Sequence, residues 1–138
     1  MEETYSCTIN AEIHSIPTVF LMLDTAMRTH GFSEEEILDT QLAVEETITN
    51  VIVHGYAGAT GEILITIRTT HGLAGVQIED SAPPFNPLSL PEPDMTGDVK
   101  DRKIGGLGVF LIRQVMNEII YRYEDGKNLL VLVKKKTG

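Results

Sequence analysis

AVEETITNVIVHGY, from Ala43 to Tyr56, carries a carboxylate, Glu46, one helical turn before a carboxamide, Asn50, in an otherwise apolar segment. At about 100° per residue, the two side chains project within roughly 40° of each other. A carboxylate can orient or deprotonate an attacking hydroxyl, and an amide oxygen can hold a hard cation that bridges phosphates. The segment therefore predicts a helix with the residue types that magnesium-dependent phosphoryl transfer requires.

This spacing is a weak signal by itself, because the same residues could form the solvated edge of an amphipathic helix. Glu45 is equally polar and projects into the apolar arc of the helical wheel, so periodicity does not decide which glutamate would be the base. His54 could lie near Asn50, but the simpler interpretation is a polar residue that complements the helix C-terminus. From the residues alone, a phosphoryl-transfer site and a solvated helix edge both remain open.

The helix that contains this segment has a clear beginning and end. Ser33 and Glu36 have the spacing of a capping box, and Gly55 is a stop signal. The same rules predict the other elements along the chain. They are a strand at residues 4–13, a helix from 16 to about 30, strands at 62–70 and 74–80, a helix at 107–116, and strands at 118–123 and 129–134.

The order of these elements is β, α, α, β, β, loop, α, β, β. Strands grouped in hairpins with helices between them predict an α+β fold, a two-layer sandwich in which three helices cover one face of a mixed, mostly antiparallel sheet. A chain of 138 residues has an ordinary size for one domain, and neither a linker nor an internal repeat divides it. We expect a single domain over residues 1–138.

Composition and charge exclude several classes of protein. The net charge of −9 argues against direct nucleic-acid binding, because such proteins usually present a basic surface to the phosphates. The sequence has no run of 18 apolar residues, and MEETYSCTIN at its start is acidic, unlike a signal peptide, so we expect no membrane association and a cytoplasmic location. The single cysteine, Cys7, excludes an internal disulfide and is interpreted as a buried structural thiol.

A second segment, EDSAPPFNP at residues 79–87, brings Asp80 to the end of a predicted strand with a proline-rich turn behind it. A carboxylate held there could accept a hydrogen bond from the exocyclic amine of a purine. The ordinary alternative is an aspartate that caps its own turn.

A third segment, KIGGLGVFLIRQ at residues 103–114, places glycines directly before a predicted helix. Backbone amides there could approach a phosphate, and the helix dipole favours negative charge. The glycines match neither a Walker loop nor a dinucleotide fingerprint, and a flexible helix start is an equal alternative. Residues 81–103 hold five of the six prolines, and a loop of this length is usually a functional lid or disordered.

The three segments, in this order, resemble the GHKL ATP-binding superfamily of gyrase, histidine kinases and mismatch-repair ATPases, which has the Bergerat fold. Within it they are most similar to the small anti-sigma-factor serine/threonine kinases. The resemblance covers nearly the whole chain, most closely residues 41–56 and 80–134. It implies that Glu46 is the catalytic base, that Asn50 is the magnesium ligand, and that ATP and Mg²⁺ are the cofactors.

The other two segments resemble the remaining nucleotide-binding boxes of this family. DSAPPF is similar to the adenine box, which implies that Asp80 faces the amino group of the base, with Ala82 and Phe85 beside it. GGLGVFLI is similar to the phosphate box, and residues 86–104 correspond to the ATP lid. The implied phosphate-binding residues are Gly105, Gly106, Leu107, Gly108 and Val109, together with the lid cations Lys100, Arg102 and Lys103, for which a solvated charged loop is the alternative.

The sequence departs from the family at the adenine box. The usual D-x-G-x-G is represented here by Asp80, Ala82 and Pro84. Ala82 precedes Pro83 and is pushed toward extended geometry, so it does not easily supply a left-handed turn. We therefore expect a changed loop path, with consequences for ATP affinity.

The resemblance implies an anti-sigma factor regulatory kinase, which transfers the γ-phosphate of ATP to a serine or threonine of a STAS-type anti-anti-sigma protein and sequesters a sigma factor. Homodimerisation is implied in the same way. The alternative is a non-catalytic or nucleotide-gated partner-binding module, which the altered adenine box favours. A simple ATPase is a third reading, disfavoured because the larger members of the superfamily carry transducer domains that 138 residues cannot hold.

Overall fold

The computed structural model describes residues 2–89 and 104–137, and the predicted order of helices and strands is confirmed. The elements are β1 (Glu3–Asn10), α1 (Ile16–Thr29), α2 (Glu34–Asn50), β2 (Glu62–Thr69), β3 (Leu73–Asp80), α3 (Ile104–Val115), β4 (Glu118–Glu124) and β5 (Lys127–Lys135). Short 3₁₀ turns lie at Ile13–Ser15 and Pro87–Ser89.

The five strands form one sheet in the order β1-β2-β3-β5-β4. A mixed, mostly antiparallel sheet was expected, and all four pairings are antiparallel. The reason is that the β4–β5 hairpin places its second strand beside β3, so β4, which runs parallel to β3, is separated from it by β5. The α+β class with three helices is confirmed.

The core lies between the sheet and the helices. Alternate residues of β2 and β3 are buried, as expected for strands with one covered face. Ile63, Ile65 and Ile67 on β2 join Leu23 of α1 and Ile48 of α2 in one hydrophobic cluster. Because Ile48 packs in this cluster, its side of α2 faces the sheet and the opposite side faces away from it.

The capping box at the start of α2 is present. The Ser33 hydroxyl accepts a hydrogen bond from the Glu36 amide (3.1 Å), and Glu36 Oε1 accepts one from the Ser33 amide (2.8 Å). Glu36 Oε2 also accepts from the amide (2.7 Å) and the hydroxyl (3.1 Å) of Thr137. Burial disfavours the charge on Glu36, but these bonds outweigh burial and lower its pKa to about 2. The end of the chain is thereby attached to the start of α2.

The structure corrects several predicted boundaries. The first strand ends at Asn10 and not at residue 13, because the chain turns there and the Ala11 amide donates to Gly61 O. The α-helical part of α2 ends at Asn50, and Val51–Gly55 continue as a π turn in which the Tyr56 amide donates to Val51 O (2.8 Å). Single π turns inside helices occur frequently at functional sites.

Two further corrections concern the residues at which α3 and β5 begin. Helix α3 begins at Ile104, three residues before the predicted start, so the glycines lie inside its first turns. Strand β5 begins at Lys127, two residues before the predicted start, and includes Asn128.

Cys7, interpreted as a buried thiol, is half-buried on β1 against the core, and burial raises the pKa of its thiol. Within the two described ranges, no helix is long and apolar enough to cross a membrane.

Candidate active site

The structure distinguishes the two adjacent glutamates of α2. Glu45 is exposed, whereas Glu46 is half-buried and faces α3. The expectation that Glu45 projects into the apolar arc is therefore wrong. The helical wheel failed here because it gives only angles about the helix axis, and the positions of the sheet and of α3 decide which angles are covered.

Gly108 of α3 lies against both predicted α2 residues. A Cβ atom built on Gly108 would stand 2.9 Å from Glu46 Oε2, and 3.7 Å and 3.8 Å from the Asn50 amide nitrogen and oxygen. The missing side chain thus allows the α3 backbone to approach the carboxylate and the carboxamide together. The first and third segments of the sequence meet at this contact.

The environment of Glu46 makes its carboxylate more basic. Burial, followed by the charge of neighbouring Glu45, raises the pKa of Glu46 above its ordinary value. A carboxylate with a raised pKa accepts a proton more readily at neutral pH, which suits a general base.

The amide of Asn50 is buried, and its Nδ2 atom has no hydrogen-bond partner in residues 2–89 and 104–137. An unpaired buried amide is costly, and such groups in native structures usually mark a functional role or a bound water or ion. A flip of the amide exchanges its oxygen and nitrogen, so this position can present an oxygen ligand.

A magnesium ion fits this arrangement. In the described part of the chain, no group of three or more His, Cys, Asp or Glu residues could hold a metal. Magnesium typically takes only one or two protein ligands and completes its shell with water and substrate phosphates. A single oxygen from Asn50 therefore agrees with a magnesium–nucleotide site and disagrees with a metal cage made of protein alone.

Asn50 and Asp80 line the same cavity, which holds about 420 Å³ of space free of protein atoms, including its open mouth. A mostly apolar wall with a few polar side chains is typical of small-molecule sites. Phe85, which was assigned to the adenine box, also lines this cavity. The other lining residues are Thr47, Val51, Gly55, Ile78, Pro87, Ile112, Tyr121, Asn128 and Leu130.

Asp80 is buried at the end of β3, where its Oδ1 atom accepts hydrogen bonds from the Ala82 amide (3.0 Å) and from Asn128 Nδ2 (2.9 Å). Burial raises the pKa of Asp80, the two hydrogen bonds oppose that increase, and the charge of Glu79 adds to it. Asp80 therefore caps its own turn, as in the ordinary alternative, and also faces the cavity.

The turn after Asp80 does not require the missing glycines. Ala57 and Asp125 are the only non-glycine residues with positive φ in the described ranges, so Ala82 and Pro84 are not in the left-handed region. Ala82 is buried, and a Cβ on Gly55 would come within 3.3 Å of its methyl group. The turn after Asp80 therefore packs against the π turn.

The other predicted residues are placed as follows. Val109 is buried on α3. His54 is exposed on the π turn, and its ring centroid lies 5.7 Å from that of Phe85. In the first turn of α3 the backbone includes Gly105, Gly106 and Leu107. Lys100, Arg102, Lys103 and most of the predicted lid, residues 90–103, lie outside the described residues.

Sequence reasoning missed Thr47, Gly55, Tyr121 and Asn128 as cavity residues. The sequence does contain a signal for Asn128, because this polar residue lies directly before the apolar run LLVLV. That signal was lost when the strand was predicted to begin at residue 129.

Comparison with known proteins shows the family to which the chain belongs. Residues 9–134 match the family described as the histidine kinase-like ATPase domain. Serine-protein kinase RsbW of Listeria monocytogenes is 31% identical over 106 residues, which cover 73% of this chain and 68% of the relative. Serine-protein kinase RsbW of Bacillus mycoides is 24% identical over 133 residues, which cover 94% and 83%.

A crystal structure of the RsbU and RsbW domains of a Mycobacterium tuberculosis protein is similar in fold, with a TM-score of 0.67 and 18% sequence identity. The match covers 99% of this chain and 33% of that one, so this chain corresponds to about a third of the solved structure. At this identity the likeness concerns the fold alone.

Proposed function

Since the chain belongs to the histidine kinase-like ATPase domain family, and within it to the RsbW serine-protein kinases, we propose that it is an anti-sigma factor regulatory kinase. It transfers the γ-phosphate of ATP to a serine or threonine hydroxyl of a partner protein. The observation that carries the proposal is the buried, unpaired amide of Asn50, which lies beside Gly108 and lines the cavity that Asp80 also faces.

In this proposal Glu46 accepts the proton of the attacking hydroxyl. Its half-burial and raised pKa support that role, since a solvated carboxylate is a weaker base. The proton moves from the hydroxyl oxygen to a Glu46 carboxylate oxygen as the oxygen–phosphorus bond forms, and the bond between the γ-phosphorus and the bridging oxygen breaks so that ADP leaves. Gly108 holds the α3 backbone beside the carboxylate and so limits the positions it can take.

The nucleotide is bound by the remaining site residues. Asp80 accepts a hydrogen bond from the purine amino group, with Ala82 and Phe85 forming the adjacent wall. Backbone amides of the first turns of α3, from Gly105 to Val109, receive the phosphates, and Lys103 contributes a cation. Asn50 would hold magnesium, which when bound would neutralise the phosphate charges. That compensation matters in a protein with a net charge of −9.

The partners are proposed from the family. The substrate is a STAS-type anti-anti-sigma protein, and the unphosphorylated form of that protein competes with a sigma factor for this chain. Phosphorylation ends the competition and returns the sigma factor to its sequestered state. Homodimerisation, a cytoplasmic location and the absence of direct nucleic-acid contact belong to the same proposal.

Calorimetric titration with ATP tests the nucleotide site. The unsubstituted chain is expected to bind ATP in the presence of Mg²⁺ and more weakly without it. Asn50→Ala is expected to lose the magnesium dependence, and Asp80→Asn is expected to lose affinity both with and without Mg²⁺. Thr49→Ala, one residue from Asn50 on the same helix, is the matched control. No binding up to millimolar ATP would overturn the proposal.

The second candidate is a nucleotide-gated or non-catalytic partner-binding module, and the altered adenine box favours it. One variant is expected to give different results under the two candidate functions. Glu46→Gln keeps ATP and partner binding under both, and it abolishes phosphate transfer to a STAS-domain protein only if the chain is a kinase. Unchanged partner binding with no transfer by the unsubstituted chain would select the module.

A further inference from the structure

Asn128 occupies an unusual position for a carboxamide. It lies on β5 directly opposite Asp80 of β3 in the strand register, and it is buried. Its other cross-strand neighbour is Tyr123 of β4. Buried amides in strands are retained only when their hydrogen bonds are satisfied, so the partners of Asn128 indicate what the residue does.

All of the hydrogen-bonding capacity of the Asn128 amide is used by the protein. Its Nδ2 group donates to Asp80 Oδ1 (2.9 Å), Ala82 O (3.1 Å) and Pro83 O (3.2 Å). Its Oδ1 atom accepts from the Phe85 amide (3.1 Å) and from the Tyr121 hydroxyl. A carboxamide has two donor hydrogens, which the three acceptors share, and two acceptor positions, so none is left for a ligand.

The orientation of this amide is determined by its partners. The carbonyls of Ala82 and Pro83 can only accept, and the backbone amide of Phe85 can only donate. A flipped Asn128 would place nitrogen against the Phe85 amide and oxygen against two carbonyls. The side chain therefore has one orientation in which these buried groups are satisfied.

From these contacts we infer that Asn128 is the positioning residue of the purine site, which folds the turn from Asp80 to Phe85 and orients the Asp80 carboxylate without touching the nucleotide. The inference rests on the proposed function and extends it to a residue outside the three sequence segments. It also accounts for the altered adenine box. A turn with Ala82 and Pro84 in place of glycines is held from the neighbouring strand by a side chain.

The hydrogen bond from Asn128 also selects the oxygen of Asp80 that serves a ligand. Oδ1 already accepts from Ala82 and Asn128, whereas Oδ2 makes no hydrogen bond within residues 2–89 and 104–137. Oδ2 is therefore the atom available to an exocyclic amine. The same hydrogen bond opposes the effect of burial on the pKa of Asp80, so it helps to keep the carboxylate ionised and able to accept.

Tyr121 extends this network, because its hydroxyl donates to Asn128 Oδ1 and its side chain lines the cavity. Tyr121→Phe removes one of the two donors to that oxygen and leaves the amide in place. It is the milder variant, and we expect it to lose less folding stability than Asn128→Ala. Tyr123→Phe is the matched control, since Tyr123 is on the same strand and the residue is 44% exposed.

The test compares two magnesium-loaded probes, ATP and inorganic triphosphate, on the full chain. Triphosphate has no base and does not depend on Asp80. We expect Asn128→Ala to weaken ATP binding at least tenfold and Tyr121→Phe to weaken it severalfold, with triphosphate binding and Tyr123→Phe unchanged. In the protein without nucleotide, carboxyl NMR is expected to show a higher pKa for Asp80 in Asn128→Ala.

Each other outcome overturns a stated part of this inference. Equal losses for ATP and triphosphate would mean that Asn128 acts through general folding and not through the purine site. Unchanged ATP affinity in a folded Asn128→Ala or Tyr121→Phe variant would overturn the positioning role and leave the kinase proposal intact. A failure of the unsubstituted chain to prefer ATP over triphosphate would overturn the purine role of Asp80, and the role of Asn128 with it.

Discussion

The α carbon of Gly108 lies so close to Glu46 that a methyl group added there would stand 2.9 Å from Oε2 of that glutamate. The contact joins α3, which carries the predicted phosphate segment, to the predicted base on α2. It makes this glycine a packing residue of the active site as well as a candidate for phosphate binding.

Gly108→Ala is expected to separate stability from catalysis. Alanine is favoured over glycine in a helix interior by about 1 kcal/mol, which offsets much of the crowding. The free energy of unfolding should therefore change by less than about 1 kcal/mol. The rate of phosphate transfer should fall to a small fraction of its original value, because Glu46 is displaced. Denaturant unfolding and a transfer assay check this. Gly75→Ala, where an added Cβ meets nothing within 4 Å, should leave transfer unchanged.

Glu46→Gln is expected to lower the rate of phosphate transfer by about 100-fold or more, which is the usual contribution of a general base. ATP affinity should stay within about twofold, because the amide retains the shape of the carboxylate. Single-turnover transfer and calorimetry measure the two quantities. A variant that keeps its transfer rate would show that Glu46 is not the base.

Glu45→Gln is expected to shift the acidic limb of the pH–rate profile. In its proposed role Glu46 acts in its deprotonated form, so the rate is expected to fall as pH falls through the pKa of Glu46, which burial and the Glu45 charge raise. Removal of the like charge lowers that pKa, and the limb moves to lower pH. The maximal rate should be unchanged, since Glu45 is exposed and does not face the cavity. A shift to higher pH would contradict this account.

Glu36→Gln is expected to remove part of the acid sensitivity of folding. Because the pKa of Glu36 is about 2 in the folded protein instead of 4.5, its stabilisation is fully present above pH 4.5 and is lost as pH falls toward 2. The variant should lose about 1–2 kcal/mol at neutral pH and show a flatter stability profile below pH 5. Urea unfolding between pH 2.5 and 7 measures both effects, in about half-unit steps.

The control for that experiment is Glu35→Gln. Glu35 lies in the same first turn of α2 but is exposed, and the described residues give it no hydrogen bond. Its replacement should leave the acid limb of the stability curve in place. If the two variants lost the same stability at every pH, helix-dipole effects would explain the result and the contacts with Thr137 would not.

Much of the fold could be predicted because the relevant signals are local. The capping pair Ser33 and Glu36 begins α2 as expected, and alternating residues identify β2 and β3. The errors at the π turn and at the start of β5 have a common origin. A π turn and a polar strand residue are stabilised by contacts with distant segments, which a window of adjacent residues does not contain.

The sequence by itself determined the order of the elements and identified Glu46, Asn50 and Asp80 as candidate site residues, because periodicity, capping and motif order are properties of neighbouring residues. Tertiary structure alone decided that Glu46 and not Glu45 faces α3, and that Gly108 closes over it. It also decided that Asn128 holds Asp80 from a position 48 residues away in the chain. These relationships depend on which surfaces pack together, and packing joins residues whose separation along the chain carries no information about their distance in space.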